Sequence, residues 1–151
     1  MGIKRFTQKR PLLKSWHPYK EILENYEDAC ELKPPSSLEE MFMQTWMAVY
    51  KKSDEKLKLS AEYRLCKERR WRADFAHVPS MTLIELEGGL FKGRHTNPLG
   101  YACDCEKYNA ATLLGYKKFS LVNIKAGGLD LLSEYYVQFI YDFCKQNAKP
   151  S

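Results

Sequence analysis

The stretch from Arg72 to Gly89 constrains this chain more than any other. Two short alternating runs flank Val78-Pro79-Ser80-Met81, which suits a tight turn with Pro at its first central position. Counting outward from Pro79-Ser80 opposes Val78 to Met81, Phe75 to Ile84 and Asp74 to Glu85. Side chains alternate along strands, so the hairpin predicts an apolar face of Ala73, Phe75, Ile84 and Leu86 and a polar face of Arg72, Asp74, Glu85 and Glu87. Three carboxylates gather on that polar face. Like charges opposed across a sheet are destabilising by up to about 1 kcal/mol, and a divalent cation held by oxygen ligands would offset the cost. The same register sets Arg72 against Glu87, so the plainer reading is a cross-strand ion pair with Asp74 and Glu85 turned to water.

A chain of 151 residues fits one domain with a buried core. Its formal net charge of +5 is unevenly spread. Lys4, Arg5, Lys9, Arg10 and Lys14 open the chain with no acid among them, and Arg64, Lys67, Arg69, Arg70 and Arg72 form a second basic run. Such runs supply sequence-independent attraction to phosphate, which points to DNA as partner, although a basic tail also serves as a solvated arm. Five cysteines, an odd number, do not make a disulfide framework, and no apolar stretch follows the basic start. A reduced, cytoplasmic protein is expected. Cys103-Asp104-Cys105 with His95 is a weak zinc signal, since helical spacing sends the two thiols to different faces. No stretch approaches the roughly 20 apolar residues needed to span a membrane.

Residues 1–35 read as a basic, then acidic, N-terminal arm with a short helix over Tyr19 to Leu32, stopping before Pro34-Pro35. Ser36-Ser37-Leu38-Glu39-Glu40 opens a helix to about Tyr50, with Ser37 and Glu40 at capping-box spacing. Leu59 to Leu65 alternates as a first strand, and the hairpin follows. Residues 88–100 are rich in breakers and predict a loop; a helix from Tyr101 to Leu114 ends at Gly115. Tyr116 to Val122 is a fourth strand, parallel to the one before the helix. A last amphipathic helix over Leu129 to Gln146 carries Leu132, Tyr135/Tyr136, Phe139/Ile140 and Phe143. The expected class is α/β, a small mixed sheet flanked by helices.

Helix, strand, a hairpin bearing Asp and Glu-x-Glu, helix and strand is the order of the PD-(D/E)XK nuclease core, which residues 37 to 123 resemble. The likeness is closest over Arg70-Trp71-Arg72-Ala73-Asp74-Phe75-Ala76, Ile84-Glu85-Leu86-Glu87-Gly88-Gly89, Gly93-Arg94-His95 and Asp104-Cys105-Glu106-Lys107-Tyr108-Asn109 through Gly115-Tyr116. These runs are similar to a bacteriophage and prophage branch related to very-short-patch-repair-like endonucleases. The resemblance implies a restriction-endonuclease-like core over residues 36–151 and a metal-dependent DNA endonuclease using Mg2+ or Mn2+. The substrate would be branched or recombining phage DNA, cut in the manner of a Holliday-junction resolvase. Two cuts call for two sites, which a homodimer would supply.

On the resemblance, Asp74 is the acid of the "PD" position, with Ala73 where Pro often stands, and Glu85 is the first acid of (D/E)XK. Glu87 occupies the lysine position; an acid there brings no positive charge but could be a third metal ligand. Leu86 would add its carbonyl. Lys107 is the candidate replacement for the missing cation if it points back over the sheet, and otherwise a solvated helix lysine. Glu40 resembles the first-helix acid of many members, with Glu39 one residue away. Arg94 would grip the scissile phosphate and His95 relay a proton, while Lys4, Arg5, Lys9, Arg10, Arg69, Arg70, Arg72 and Trp71 would hold the DNA backbone. The alternative is a non-catalytic nucleic-acid-binding module whose acids only form ion pairs.

Overall fold

The computed structural model describes residues 15–88, 97–123, 125–126, 129–130 and 133–148. Its elements are α1 (Tyr26–Glu31), α2 (Ser37–Lys52), β1 (Ser60–Arg64), β2 (Arg72–His77), β3 (Thr82–Gly88), α3 (Pro98–Leu113), β4 (Lys117–Asn123), β5 (Lys125–Ala126), β6 (Leu129–Asp130) and α4 (Ser133–Gln146). Four strands form a mixed sheet in the order β1-β2-β3-β4, antiparallel across the first three and parallel between β3 and β4. The hairpin keeps the register that the turn predicts. Val78–Ser80 make a single 3-10 turn, Met81 N–H donates to the Val78 carbonyl at 2.9 Å, and Phe75 pairs with Ile84.

Helices α2 and α4 cover one side of the sheet. Phe42 and Trp46 of α2 and Tyr136, Ile140 and Phe143 of α4 bury with Ala61, Phe75, Ile84 and Leu121 of the strands. A smaller cluster joins Ala111 of α3 to Leu65, Ala73, Ala76 and Leu83, with Tyr63, Trp71 and Tyr116 packed against it. The expected apolar face holding Ala73 beside Phe75 is therefore broken. Ala61 and Phe75 pack with α2 and α4, whereas Tyr63 and Ala73, two residues on in each strand, pack with α3. The strand pair turns over between them, at Glu62, whose φ of +52° lies in the left-handed region.

Much of the segment expected as an N-terminal arm belongs to the core. Trp16, Tyr19, Ile22, Leu23 and Ala29 are buried in the cluster that holds Phe42 and Phe75, because these apolar side chains extend the α2 side of the sheet. The helix predicted over Tyr19 to Leu32 is a 3-10 turn, His17–Ile22, followed by α1. Between them Asn25 acts as a strand partner: its Nδ2 donates to the Ala61 carbonyl at 2.6 Å and its Oδ1 accepts from Ala61 N–H at 2.8 Å, closing the outer edge of β1. Lys4, Arg5, Lys9 and Arg10 lie outside the described residues.

Three boundaries differ from expectation, each for a local reason. The capping box at α2 joins Ser36 to Glu39 rather than Ser37 to Glu40; the sequence holds two overlapping Ser-x-x-Glu registers, and Ser36, extended after Pro35, takes the cap. Helix α3 starts at Pro98, three residues early, because Asn97 Oδ1 accepts from Leu99 and Gly100 N–H at 3.0 and 3.3 Å and Pro98 lacks the N–H that a first turn leaves idle. Helix α4 starts at Ser133 because Lys125 pairs with Asp130 and Ala126 with Leu129 in a two-stranded ribbon. Gly127-Gly128 in the sequence is the signal for such a hairpin.

Candidate functional site

The site forms where β2 and β3 part. Their backbone pairing is recorded through Phe75 and Ile84, and at the next position the Asp74 carboxylate takes over: Oδ2 accepts from Leu86 N–H at 2.8 Å. Glu85 lies beside Asp74 and is buried. The expected opposition of Asp74 and Glu85 is thus a buried meeting of two carboxyl groups.

Lys107 reaches this pair from α3. It is 7% exposed, and its Nζ donates to Glu85 Oε1 at 3.0 Å and to the Arg72 carbonyl at 2.5 Å. Of the two alternatives for this lysine, the solvated one is excluded. Glu106, its neighbour, pairs outward with Arg69 at 2.9 Å.

Two further carboxylates close the site from the α2 side. Glu39, Glu62 and Asp74 each present an oxygen within 4.8 Å of the others. Glu39 arrives there because its own helix cap aims it inward, and Glu62 because the left-handed turn in β1 swings it out of strand alternation. Lys33 stands at the rim, its Nζ 3.3 Å from Glu62 Oε1 and 3.9 Å from Glu39 Oε1. Glu62 was not singled out by the sequence; the neighbouring alternation reads as an ordinary strand, and a positive φ at a glutamate has no sequence signature. Glu40 is buried too, close enough to Tyr19 to help raise the pKa of its phenol, and stands outside the three-carboxylate group.

Burial without matching positive charge shapes the protonation of the cluster. Burial, then the proximity of Asp74, pushes Glu85 up to about 8 against the pull of Lys107. Burial pushes Glu39 up to about 7, with Glu62 adding to the rise and the Ser36 N–H opposing it. Asp74 is raised as well, by burial, although the Leu86 N–H favours its charged form. Near neutral pH Glu39 and Glu85 hold protons that a cation would displace.

An open cavity of about 430 Å³ lies over the cluster, with Asp74, Glu62, Glu85 and Lys107 in its wall and Lys33, Arg70, Trp71 and Arg72 at its rim. Arg69 stacks 4.2 Å over Trp71. Glu87 is half-buried, near enough to Tyr108 to contribute to its raised pKa, and is not part of the three-carboxylate group. Among the described residues Arg72 forms no ion pair with Glu87; Arg72 stands across from Arg64 instead. Arg94 and His95 lie outside the described residues.

The donor set fits a hard divalent cation, because it consists of carboxylate oxygens alone, and Glu39 Oε2 and Glu62 Oε1 are buried with no hydrogen-bond partner among the described residues. No helix of the described residues is long and apolar enough to cross a membrane. The chain matches no family model, no curated protein and no solved structure.

Proposed function

We propose that this chain is a metal-dependent DNA endonuclease of the PD-(D/E)XK kind, with a restriction-endonuclease-like core. One observation carries the reading: Asp74, Glu85 and the Lys107 ammonium converge where two strands part, on the wall of a cavity rimmed by arginines. Mg2+ or Mn2+ held by Asp74 and Glu85, with the Leu86 carbonyl and Glu87 in the roles the resemblance gives them, would lower the pKa of a bound water and neutralise charge on the phosphate.

The protein's own groups do the positioning. Leu86 N–H fixes one oxygen of Asp74 and so holds the carboxylate beside Glu85. Lys107 takes the place of the lysine that Glu87 displaces in the motif: its ammonium, held by Arg72 and Glu85, carries a positive charge into the site for the phosphate. Arg70, Arg72 and Trp71 hold the DNA strand by its backbone, with Lys4, Arg5, Lys9, Arg10 and Arg69 extending the basic track and Arg94 and His95 acting at the phosphate. A homodimer acting on branched DNA in the cytoplasm would bring two such sites to one junction.

Labelled branched and duplex DNA, incubated with and without Mg2+ or Mn2+, tests the reading. Cleavage is expected only with metal and is expected to vanish in Asp74→Asn with DNA binding retained. Binding without cleavage under either metal would overturn it in favour of a non-catalytic nucleic-acid-binding module.

A further inference from the structure

The sequence order that suggests a nuclease makes no use of Glu62, yet the fold goes to unusual lengths to place it. A left-handed conformation at a residue other than glycine brings Cβ against the following carbonyl and is disfavoured. Glu62 adopts it in mid-strand, with φ +52°, and both neighbours keep their pairing across to β2. The Asn25 side chain pins Ala61, the residue immediately before it. The result is a carboxylate held more than nine-tenths buried, opposite Asp74 in the strand register.

What it meets there is short of positive charge. Glu39, Glu62, Asp74 and Glu85 bring four carboxyl groups together, and among the described residues only the lysines Lys33 and Lys107 form ion pairs with them. Lys107 serves Glu85. Lys33 is an exposed side chain at the rim and touches Glu39 only at 3.9 Å. Glu39 is 3% exposed; its Oε1 is committed to the Ser36 N–H, and its Oε2, like Glu62 Oε1, is buried without a hydrogen-bond partner among the described residues. An acceptor sealed from water without a donor is costly, more so when it is charged, and a cation removes that cost directly.

We infer that Glu62 is a ligand in a binding site for one hard divalent cation, formed by Glu39, Glu62 and Asp74. The dimensions suit one: metal–oxygen distances of about 2.0–2.6 Å put ligand oxygens on opposite sides of the ion roughly 4–5 Å apart, and the three oxygens here lie within 4.8 Å of one another. The set contains no nitrogen or sulfur, which favours Mg2+, Mn2+ or Ca2+ over zinc. Lys33 then acts as a charge that partly occupies the place of the ion and swings outward when the ion binds. The site shares Asp74 with the proposed hydrolytic centre but does not depend on hydrolysis.

The test is Mn2+ binding by the full-length, metal-stripped protein without DNA, followed by the electron paramagnetic resonance signal of free Mn2+. Glu85→Gln is the background, because it removes a carboxylate that the proposed hydrolysis requires and leaves Glu39, Glu62 and Asp74 in place. One equivalent of Mn2+ is expected to bind in this background, and adding Glu62→Gln should weaken it at least tenfold. Adding Glu62→Gly should weaken it equally while relieving the left-handed strain, so the metal-free protein should melt higher as its metal response disappears. In the otherwise unchanged chain, Lys33→Met touches only an exposed side chain and should tighten Mn2+ binding several-fold. The inference is overturned by an absence of Mn2+ binding in the Glu85→Gln background, by unchanged affinity in the Glu62 variants, or by unchanged or weaker affinity in Lys33→Met. Failure of the unsubstituted protein to cleave DNA, with Mn2+ binding as expected, would instead count against the nuclease reading alone.

Discussion

The two ends of the β2–β3 hairpin both bury polar side chains, and they treat them in opposite ways. At the turn, a hydrogen bond of 2.7 Å joins His77 Nδ1 to Ser80 Oγ, another of 2.8 Å joins Ser80 Oγ to Thr82 Oγ1, and the imidazole packs edge-on against Phe143. His77 Nδ1, Ser80 Oγ and Thr82 Oγ1 each have a partner within the hairpin. At the open end, carboxylates face carboxylates and a buried Glu39 oxygen meets no donor among the described residues. The larger cavity, about 930 Å³, lies at the turn, and the smaller at the acids. Polar satisfaction, more than room, separates a structural cluster from one that awaits a ligand.

The sharpest way to break this comparison is to mutate both ends and measure the same two quantities. Asp74→Asn or Glu85→Gln is expected to reduce metal-dependent cleavage on the order of 10³-fold or more, with the melting temperature unchanged or raised. His77→Gln should do the reverse, costing about 1–2 kcal/mol of stability and leaving cleavage by the folded protein within about twofold. Equal losses of activity at both ends would erase the distinction.

Lys107→Met comes next. Removing its charge should lower cleavage by about 10²–10³-fold while DNA binding, measured in Ca2+, changes little. An effect confined to binding would make Lys107 a phosphate anchor rather than a replacement for the motif lysine.

Proton uptake separates the two ends without DNA. Glu39 and Glu85 are raised from an ordinary value of 4.5 to about 7 and about 8. Their protonated forms are favoured in the folded protein, so the stability this confers is complete below pH 4.5 and disappears as the pH rises through 7 to 8. The metal-free protein is expected to melt lower at pH 8.5 than at pH 5, and Mn2+ should raise the midpoint more at the higher pH. The His77 end works the other way and only in mild acid: burial lowers the imidazole pKa, so protonation there destabilises. A flat profile from pH 5 to 8.5 would mean that the carboxylates are not protonated together.

The smallest effect is expected at Glu87. Its charge lies one pleat from Glu85, outside the three-carboxylate group, so Glu87→Gln should raise the Mn2+ midpoint for cleavage only a few-fold. An unchanged midpoint would make Glu87 structural.

What the sequence made legible was local. The turn at Val78-Pro79-Ser80-Met81 determined the register, and with it the meeting of Asp74 and Glu85, because two-residue counting from a proline turn needs no knowledge of the rest of the chain. The parallel β3–β4 pair followed from strand, helix and strand for the same reason. Glu39 was hidden behind a second, equally good capping register one residue on. Glu62 was hidden more deeply, since its place depends on two strands turning over together, and alternation assumes that they do not. The burial of Trp16, Tyr19 and Ile22 is not legible because a basic start reads as an arm, and the apolar residues that follow Lys14 are interleaved with charged ones rather than set out with a clear period.

The Glu39 carboxylate both accepts from the Ser36 N–H that begins α2 and lies against Glu62 and Asp74. A single side chain therefore ties the electrical state of the cleft to the fraying of a helix whose opposite end lies three turns and more away. Pulling that carboxylate toward an ion, or discharging it with a proton, changes how firmly it holds the Ser36 N–H. The exchange rate of that one amide with solvent deuterium is a built-in gauge of the cleft, readable without any substrate.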